Sequence, residues 1–200
     1  MPGAPASADL DRVIAFALEL DKLKAVLRRT RPSNLDRPEN SAEHSWHVAL
    51  LASSLAPYAD PPVDLARVTE LLLVHDVPEI DAGDTIVYGR APGAVAEERR
   101  AAARVFGLLP DPQGSLFLAR WEEFEARETA EARFAYAVDR VMPVLHNLRD
   151  GGRTWRENGI ALDQVLAVNQ AIGAACPALW EHVKRRVEDH FAHAQAKEIP

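Results

Sequence analysis

The amino-acid sequence predicts an all-α domain, and three observations carry that prediction. The chain is rich in Ala, Leu, Glu and Arg with few β-branched runs, a composition that favours helix. Apolar residues recur at i, i+3, i+4 and i+7 along much of its length, the spacing of an amphipathic helix. No apolar–polar alternation of the strand kind persists anywhere. Two hundred residues suit one domain with a substantial core. The expectation is a bundle of about seven or eight helices. Residues 1–8 read as a mobile tail, and residues 9–200 as one domain ending in a C-terminal helical extension.

Taken in order, a first helix is expected from about Asp9 to Arg29, with Val13, Phe16, Leu20, Leu23 and Leu27 on its apolar stripe. Its basic end, including Arg28 and Arg29, suits a helix C-terminus. Pro32 and Pro38 mark a loop. Asn40 followed by Glu43 reads as a capping box that opens a helix to Leu55, carrying His44, Trp46 and His47. Trp46 reads as core. A third helix runs from Leu65 to Glu79 or Ile80, and an Asp81–Gly93 loop rich in Gly and acids follows. Helices are then expected over Ala94–Phe106, Ser115–Arg127 (core candidates Leu116, Trp121 and Phe124) and Thr129–Leu148, where Pro143 interrupts the pattern. A Gly-rich loop, Asp150–Gly159, precedes two final helices over Leu162–Ile172 and Ala178–Ala194.

The totals exclude several classes of function. Net charge is -7, and no block of Lys or Arg rises above that acidic background, so no nucleic acid polymer is an expected partner. No stretch approaches the roughly 18 uncharged residues of a membrane span, and the N-terminus lacks the pattern of a secretory signal. The lone Cys176 excludes an internal disulfide and fits a reducing compartment. A cytoplasmic setting is expected.

The informative stretch is Leu71-Leu72-Leu73-Val74-His75-Asp76-Val77-Pro78-Glu79. An imidazole and a carboxylate inside such an apolar run cost several kcal/mol, roughly, unless compensated. A metal ion would compensate both. Neighbouring side chains on a helix diverge by about 100°, so the pair should find its partners elsewhere in the chain. His44, near the start of the preceding helix, and Asp139, beside an apolar stripe, complete a two-His, two-Asp set drawn from three helices. Such a mixed N/O set suits one divalent ion, Mn, Co, Fe or Mg with Zn possible, better than a closed structural zinc site. His47 lies three residues from His44 and could chelate with it; it reads as core or as a supporting residue, and His146 as structural.

The ordered set His44, His75-Asp76 and Asp139 resembles the H…HD…D pattern of the HD-domain metal-dependent phosphohydrolases. Glu39-Asn40-Ser41-Ala42-Glu43-His44-Ser45, His75-Asp76-Val77-Pro78-Glu79 and Ala82-Gly83-Asp84 resemble the branch containing the bacterial 5′-deoxynucleotidases. The likeness runs from about Leu23 to His146. It implies that His44, His75, Asp76 and Asp139 hold the metal and that Glu79 and Asp84 are functional acids. It also implies that Arg28 contacts the phosphate of a small-molecule phosphate ester. The position after that arginine is a nucleotide-recognising tryptophan in those enzymes and is Arg29 here, which bears on the substrate.

The implied activity is hydrolysis of a phosphomonoester, a (deoxy)nucleoside 5′-monophosphate, by a metal-activated water, with a homo-oligomer as the expected assembly. Phosphodiesterase or alarmone hydrolase activity and a non-catalytic metal or nucleotide sensor are the alternatives. An HD-fold oxygenase needs further histidines between the His-Asp pair and the last Asp, and none occurs from Val77 to Val138.

Overall fold

Two apolar cores meet along one seam, and the His-Asp pair lies on it. In this computed structural model the described residues are 7–33, 35–84 and 93–198, and they contain no named strand. The helices are α1 (Ser7–Glu19), α2 (Ser41–Leu55), α3 (Leu65–Val74), α4 (Glu79–Ala82), α5 (Ala94–Phe106), α6 (Gln113–Ala126), α7 (Ala130–Arg149), α8 (Arg153–Glu157), α9 (Leu162–Asn169), α10 (Ala171–Ala175) and α11 (Pro177–Glu198). Eight of these run for eight residues or more, and with the short α4, α8 and α10 they make the expected all-α bundle.

The larger core joins α2, α3 and α7 to the C-terminal helices. Val48, Ala52, Val68, Leu71, Leu72, Phe134, Val138 and Val141 in it are fully buried. The smaller core joins Phe16 and Leu23 to Val105, Phe106, Leu109 and Trp121, and it also takes in Val74 and Val77. Leu71 and Leu72 therefore anchor in one core while Val74 and Val77 anchor in the other. His75 and Asp76 are held between them.

Caps place the helices that carry the site. Asn40 Oδ1 accepts from the Glu43 N–H at 3.0 Å, and Glu43 Oε1 accepts from the Asn40 N–H at 2.8 Å, the reciprocal box that fixes the start of α2. Asp64 caps α3 through the Ala66 N–H at 2.9 Å, and Thr129 caps α7 through the Ala132 N–H at 3.1 Å.

Several expectations are corrected. Ser7 and Ala8 form the first turn of α1 and are not tail; residues 1–6 lie outside the described residues. The first helix does not reach Arg29. It becomes a 3-10 helix over Leu20–Ala25, and Val26 is extended. Arg28 then lies on a short paired segment, its N–H donating to Glu39 O at 2.8 Å while the Glu39 N–H donates to Thr30 O at 2.9 Å. Backbone pairing across the 30–39 loop, which helix periodicity does not register, sets this path.

The third helix stops at Val74, and His75 to Pro78 form a tight turn before α4. Pro78 has no N–H, and its ring excludes the preceding carbonyls. The chain closes instead with Val77 N–H to Val74 O at 3.2 Å and Glu79 N–H to Asp76 O at 3.0 Å.

Trp46 and Leu116 were expected in the core but are 63% and 44% exposed, because the faces of α2 and α6 that meet the bundle are turned away from them. The Asp150–Gly159 stretch contains the short helix α8, whose Trp155 is buried. The last helices divide at Gln170, giving α9 and α10, before α11.

Candidate metal centre

Each side chain of the expected set arrives by a different local device. His44 comes from the first turn of α2, fixed by the capping box, and is completely buried. His75 and Asp76 come from the turn after α3. Asp139 comes from the middle of α7 and is 4% exposed. Pro143, four residues on, cannot supply the N–H that the Asp139 carbonyl would receive in a regular helix.

The structure brings these four together. Ligand atoms of His44, His75 and Asp76 lie within 4.8 Å of one another. Asp139 Oδ1 sits 2.9 Å from His44 Nε2 and 3.7 Å from His75 Nε2. Contrary to the divergence expected on a helix, His75 Nε2 lies 3.0 Å from Asp76 Oδ1.

The donor set fits a cation. His75 Nδ1 lies 2.7 Å from Leu72 O, and a carbonyl can only accept, so Nδ1 carries the hydrogen. Nε2 is left buried with no hydrogen-bond partner, between two carboxylate oxygens. His44 is held on both sides by carboxylates, Nδ1 lying 3.2 Å from Glu39 Oε2 and Nε2 2.9 Å from Asp139 Oδ1. A carboxylate behind a ligating imidazole is the usual support of a metal-bound histidine. Asp139 Oδ2 accepts from Arg140 Nη2 at 2.8 Å and Nε at 3.1 Å, which leaves Oδ1 facing the imidazoles.

The electrostatics point the same way. Burial disfavours charge on His75, but Asp76 and Asp139 outweigh it and push the imidazole up to about 9. Burial likewise disfavours ionised Asp139, yet Arg140, His44 and His75 hold its carboxyl well below the usual carboxylate range. A site that pulls a proton onto an imidazole among anions is one that a divalent ion would take over, releasing that proton.

The three remaining expected residues line the same place. Arg28 is 8% exposed. Its Nη1 lies 2.5 Å from Asp76 Oδ2 and 3.9 Å from Asp84 Oδ1, and its Nη2 lies 3.8 Å from Asp139 Oδ1. Arg28 Nε is buried without a hydrogen-bond partner. Glu79 opens α4 and accepts from Ser41 Oγ at 2.6 Å. Burial and the charge of Asp76 raise the Glu79 carboxyl to about 8, and burial raises Asp84 as well, against the pull of Arg28. Of the Asp81–Gly93 loop, residues 85–92 lie outside the described residues.

A cavity of about 110 Å³ opens beside Asp139, lined by His75, Glu79, Trp121, Tyr136 and Arg140 among others. The Arg127 guanidinium lies 3.9 Å over the Tyr136 ring. Arg29 faces elsewhere, into a separate cavity with Thr30, Asn147 and Trp155.

Sequence reasoning missed three supporting residues: Glu39, Ser41 and Arg140. Glu39 and Ser41 flank the Asn40 cap, and Arg140 adjoins Asp139. A charge that close to a metal-ligand candidate was the available signal. The fact that Glu39 is 1% exposed was not readable from a loop with two prolines.

Comparison with known proteins places this geometry. A family model described as HD domain matches residues 20–180. The crystal structure of a predicted metal-dependent phosphohydrolase from Magnetospirillum magnetotacticum MS-1 superposes with a TM-score of 0.90 at 44% identity, covering 94% of this chain and 95% of that one. The human 5′-deoxynucleotidase HDDC2 is 29% identical over 114 residues, 56% of this chain and 54% of that protein; the match spans about half the length of that relative. A Yersinia pestis 5′-deoxynucleotidase is 26% identical over 168 residues, covering 78% of this chain and 85% of its own.

Proposed function

Because the chain belongs to the HD domain family, we propose that it is a metal-dependent phosphohydrolase acting on a phosphomonoester, a (deoxy)nucleoside 5′-monophosphate. The observation that carries the reading is His75 Nε2, a buried ring nitrogen without a hydrogen-bond partner, set between Asp76 and Asp139. The names of the human and Yersinia relatives supply the substrate class.

In this reading His44, His75, Asp76 and Asp139 hold one divalent ion, of the Mn, Co, Fe, Mg or Zn group. When bound, the ion supplies Lewis-acid activation of water and withdraws charge from a phosphoryl oxygen. The chain supplies the rest. Arg28 keeps Asp76 oriented through Nη1, and its Nε has no hydrogen-bond partner; its charge neutralises an incoming phosphate. Glu79 and Asp84 are two acids whose ionisation burial resists, the condition under which one takes a proton from water and the other gives one to the leaving alkoxide near neutral pH. Trp121 and Tyr136 wall the adjoining cavity. The same proposal includes a homo-oligomer and a cytoplasmic setting, the latter supported by the single free cysteine. Among the described residues no helix is long and apolar enough to cross a membrane.

The test is phosphate release from a panel of deoxy- and ribonucleotides after metal stripping and reloading with Mn, Co, Mg, Fe or Zn. Release from 5′-monophosphates that depends on added metal is expected. No release from any phosphate ester with any of these metals would overturn the proposal.

A further inference from the structure

Behind the first site the fold repeats its own pattern. His47 follows His44 by three residues on α2, and His146 follows Asp139 by seven on α7. Both spacings return a side chain to the same helix face. Each of these helices therefore offers one group to the first site and a second group one or two turns further on, and there His47 and His146 meet Glu39. A ligand atom from each of the three lies within 4.8 Å of the others, and the two imidazole rings are 6.1 Å apart between centroids.

Two further observations point to a ligand at this place. His146 is 4% exposed, and its Nδ1 is buried with no hydrogen-bond partner. Glu39 is 1% exposed, and its Oε2 lies 3.2 Å from His44 Nδ1, 3.4 Å from Thr30 Oγ1 and 3.7 Å from Arg28 Nε. Burial holds His146 below the ordinary imidazole value, which favours the neutral form that a metal binds. His47 is half-buried and gives a path of entry.

We propose that Glu39, His47 and His146 form a second divalent-metal site. Two imidazoles and one carboxylate are the donor set of open Zn²⁺ sites and also suit Co²⁺ and Ni²⁺, whereas Mg²⁺ and Ca²⁺ prefer oxygen. The Glu39 carboxylate would then lie between the two centres, beside the His44 imidazole and the second ion. The site stands on its own geometry and does not depend on the nucleotidase reading.

The experiment uses untagged, full-length protein stripped with chelator and titrated with Zn²⁺, with bound metal counted by mass spectrometry after gel filtration and folding checked by circular dichroism. Wild type is expected to retain two Zn²⁺ per chain. His47→Ala, at a half-exposed position, and His146→Gln should each retain one. Asp139→Asn, which removes a proposed ligand of the first site, should lose the other ion and keep the one that His47→Ala removes. A single Zn²⁺ in wild type that survives both His47→Ala and His146→Gln overturns the second site and leaves the pocket to water. So does a wild-type stoichiometry of two that neither substitution lowers. If Asp139→Asn alone fails to lower the count while His47→Ala does, the second site stands and the reading of the first is what fails.

Discussion

Ser41 offers a sharp test of the proposed proton-transfer chemistry. Its hydroxyl is fully buried and donates to Glu79 Oε2 at 2.6 Å. A hydrogen bond to a charged group contributes about 1.5–3 kcal/mol, and it favours the ionised carboxylate. Ser41→Ala removes that donor with little change in volume. At about 1.4 kcal/mol per unit, Glu79 should titrate roughly one to two units higher. If Glu79 acts as the base it works only when ionised, so activity falls as pH drops through its pKa. The acidic limb of kcat/KM against pH, measured with saturating metal between pH 6 and 11, is therefore expected to move up by about one to two units. The alkaline plateau should change little. A limb that stays in place while the plateau falls uniformly would refute the reasoning, because Ser41 would then act through packing and the titrating base would be another group.

Three further outcomes are expected. Asp139→Asn removes the anion facing both imidazoles and should abolish metal-dependent hydrolysis while leaving the helical circular dichroism intact; retained activity at wild-type metal concentration would remove Asp139 from the ligand set. Leu72→Ala opens a cavity beneath His75 at a fully buried position and should cost about 2–5 kcal/mol in chemical denaturation. Metal-free protein should lose stability as pH rises. Glu79 and His75 both titrate higher in the folded chain than their ordinary values of 4.5 and 6.5, at about 8 and about 9. The folded state thus binds the extra protons, and their contribution is complete below the ordinary values and lost as pH rises through the folded ones. The melting temperature of stripped protein should therefore fall between pH 6 and 9, with a shallower slope in Glu79→Gln. A melting temperature that rises over that range would contradict these shifts.

The fold class and the burial of the His-Asp pair were legible because both are written in short-range patterns. The Asn40–Glu43 box announces α2, the Thr129 cap announces α7, and the Leu/Val run around His75-Asp76 announces burial. Less legible was everything decided by pairing across distance. Arg28 reads as the basic end of a helix, since helix periodicity through Leu20, Leu23 and Leu27 continues up to it. The antiparallel contact with Glu39 and the attraction of Asp76 pull the backbone out of that helix instead. Glu39 itself sits in a stretch that composition marks as loop, and only the closed structure shows it buried behind His44. Trp46 fails for the opposite reason: its residue type favours burial, and the orientation of α2 overrides it.

The positions where regular helix is interrupted are the positions that aim the site. Arg28 leaves the first helix through an extended turn, His75 and Asp76 occupy the hydrogen-bonded turn between α3 and α4, and Asp139 lies four residues before Pro143. In an uninterrupted α3, His75 and Asp76 would point about 100° apart. In the tight turn they converge to 3.0 Å. The cost of each interruption is local and is borne by the packing on either side, Leu71 and Leu72 in one core, Val74 and Val77 in the other. A site of buried like charges needs such anchoring, because Asp76, Asp139, Glu79 and Asp84 would otherwise separate and hydrate. Burial, helped by the charge of Asp76, raises Glu79, and burial raises Asp84 against the pull of Arg28. A divalent ion held as proposed would add positive charge to this cluster, which two cores hold in place.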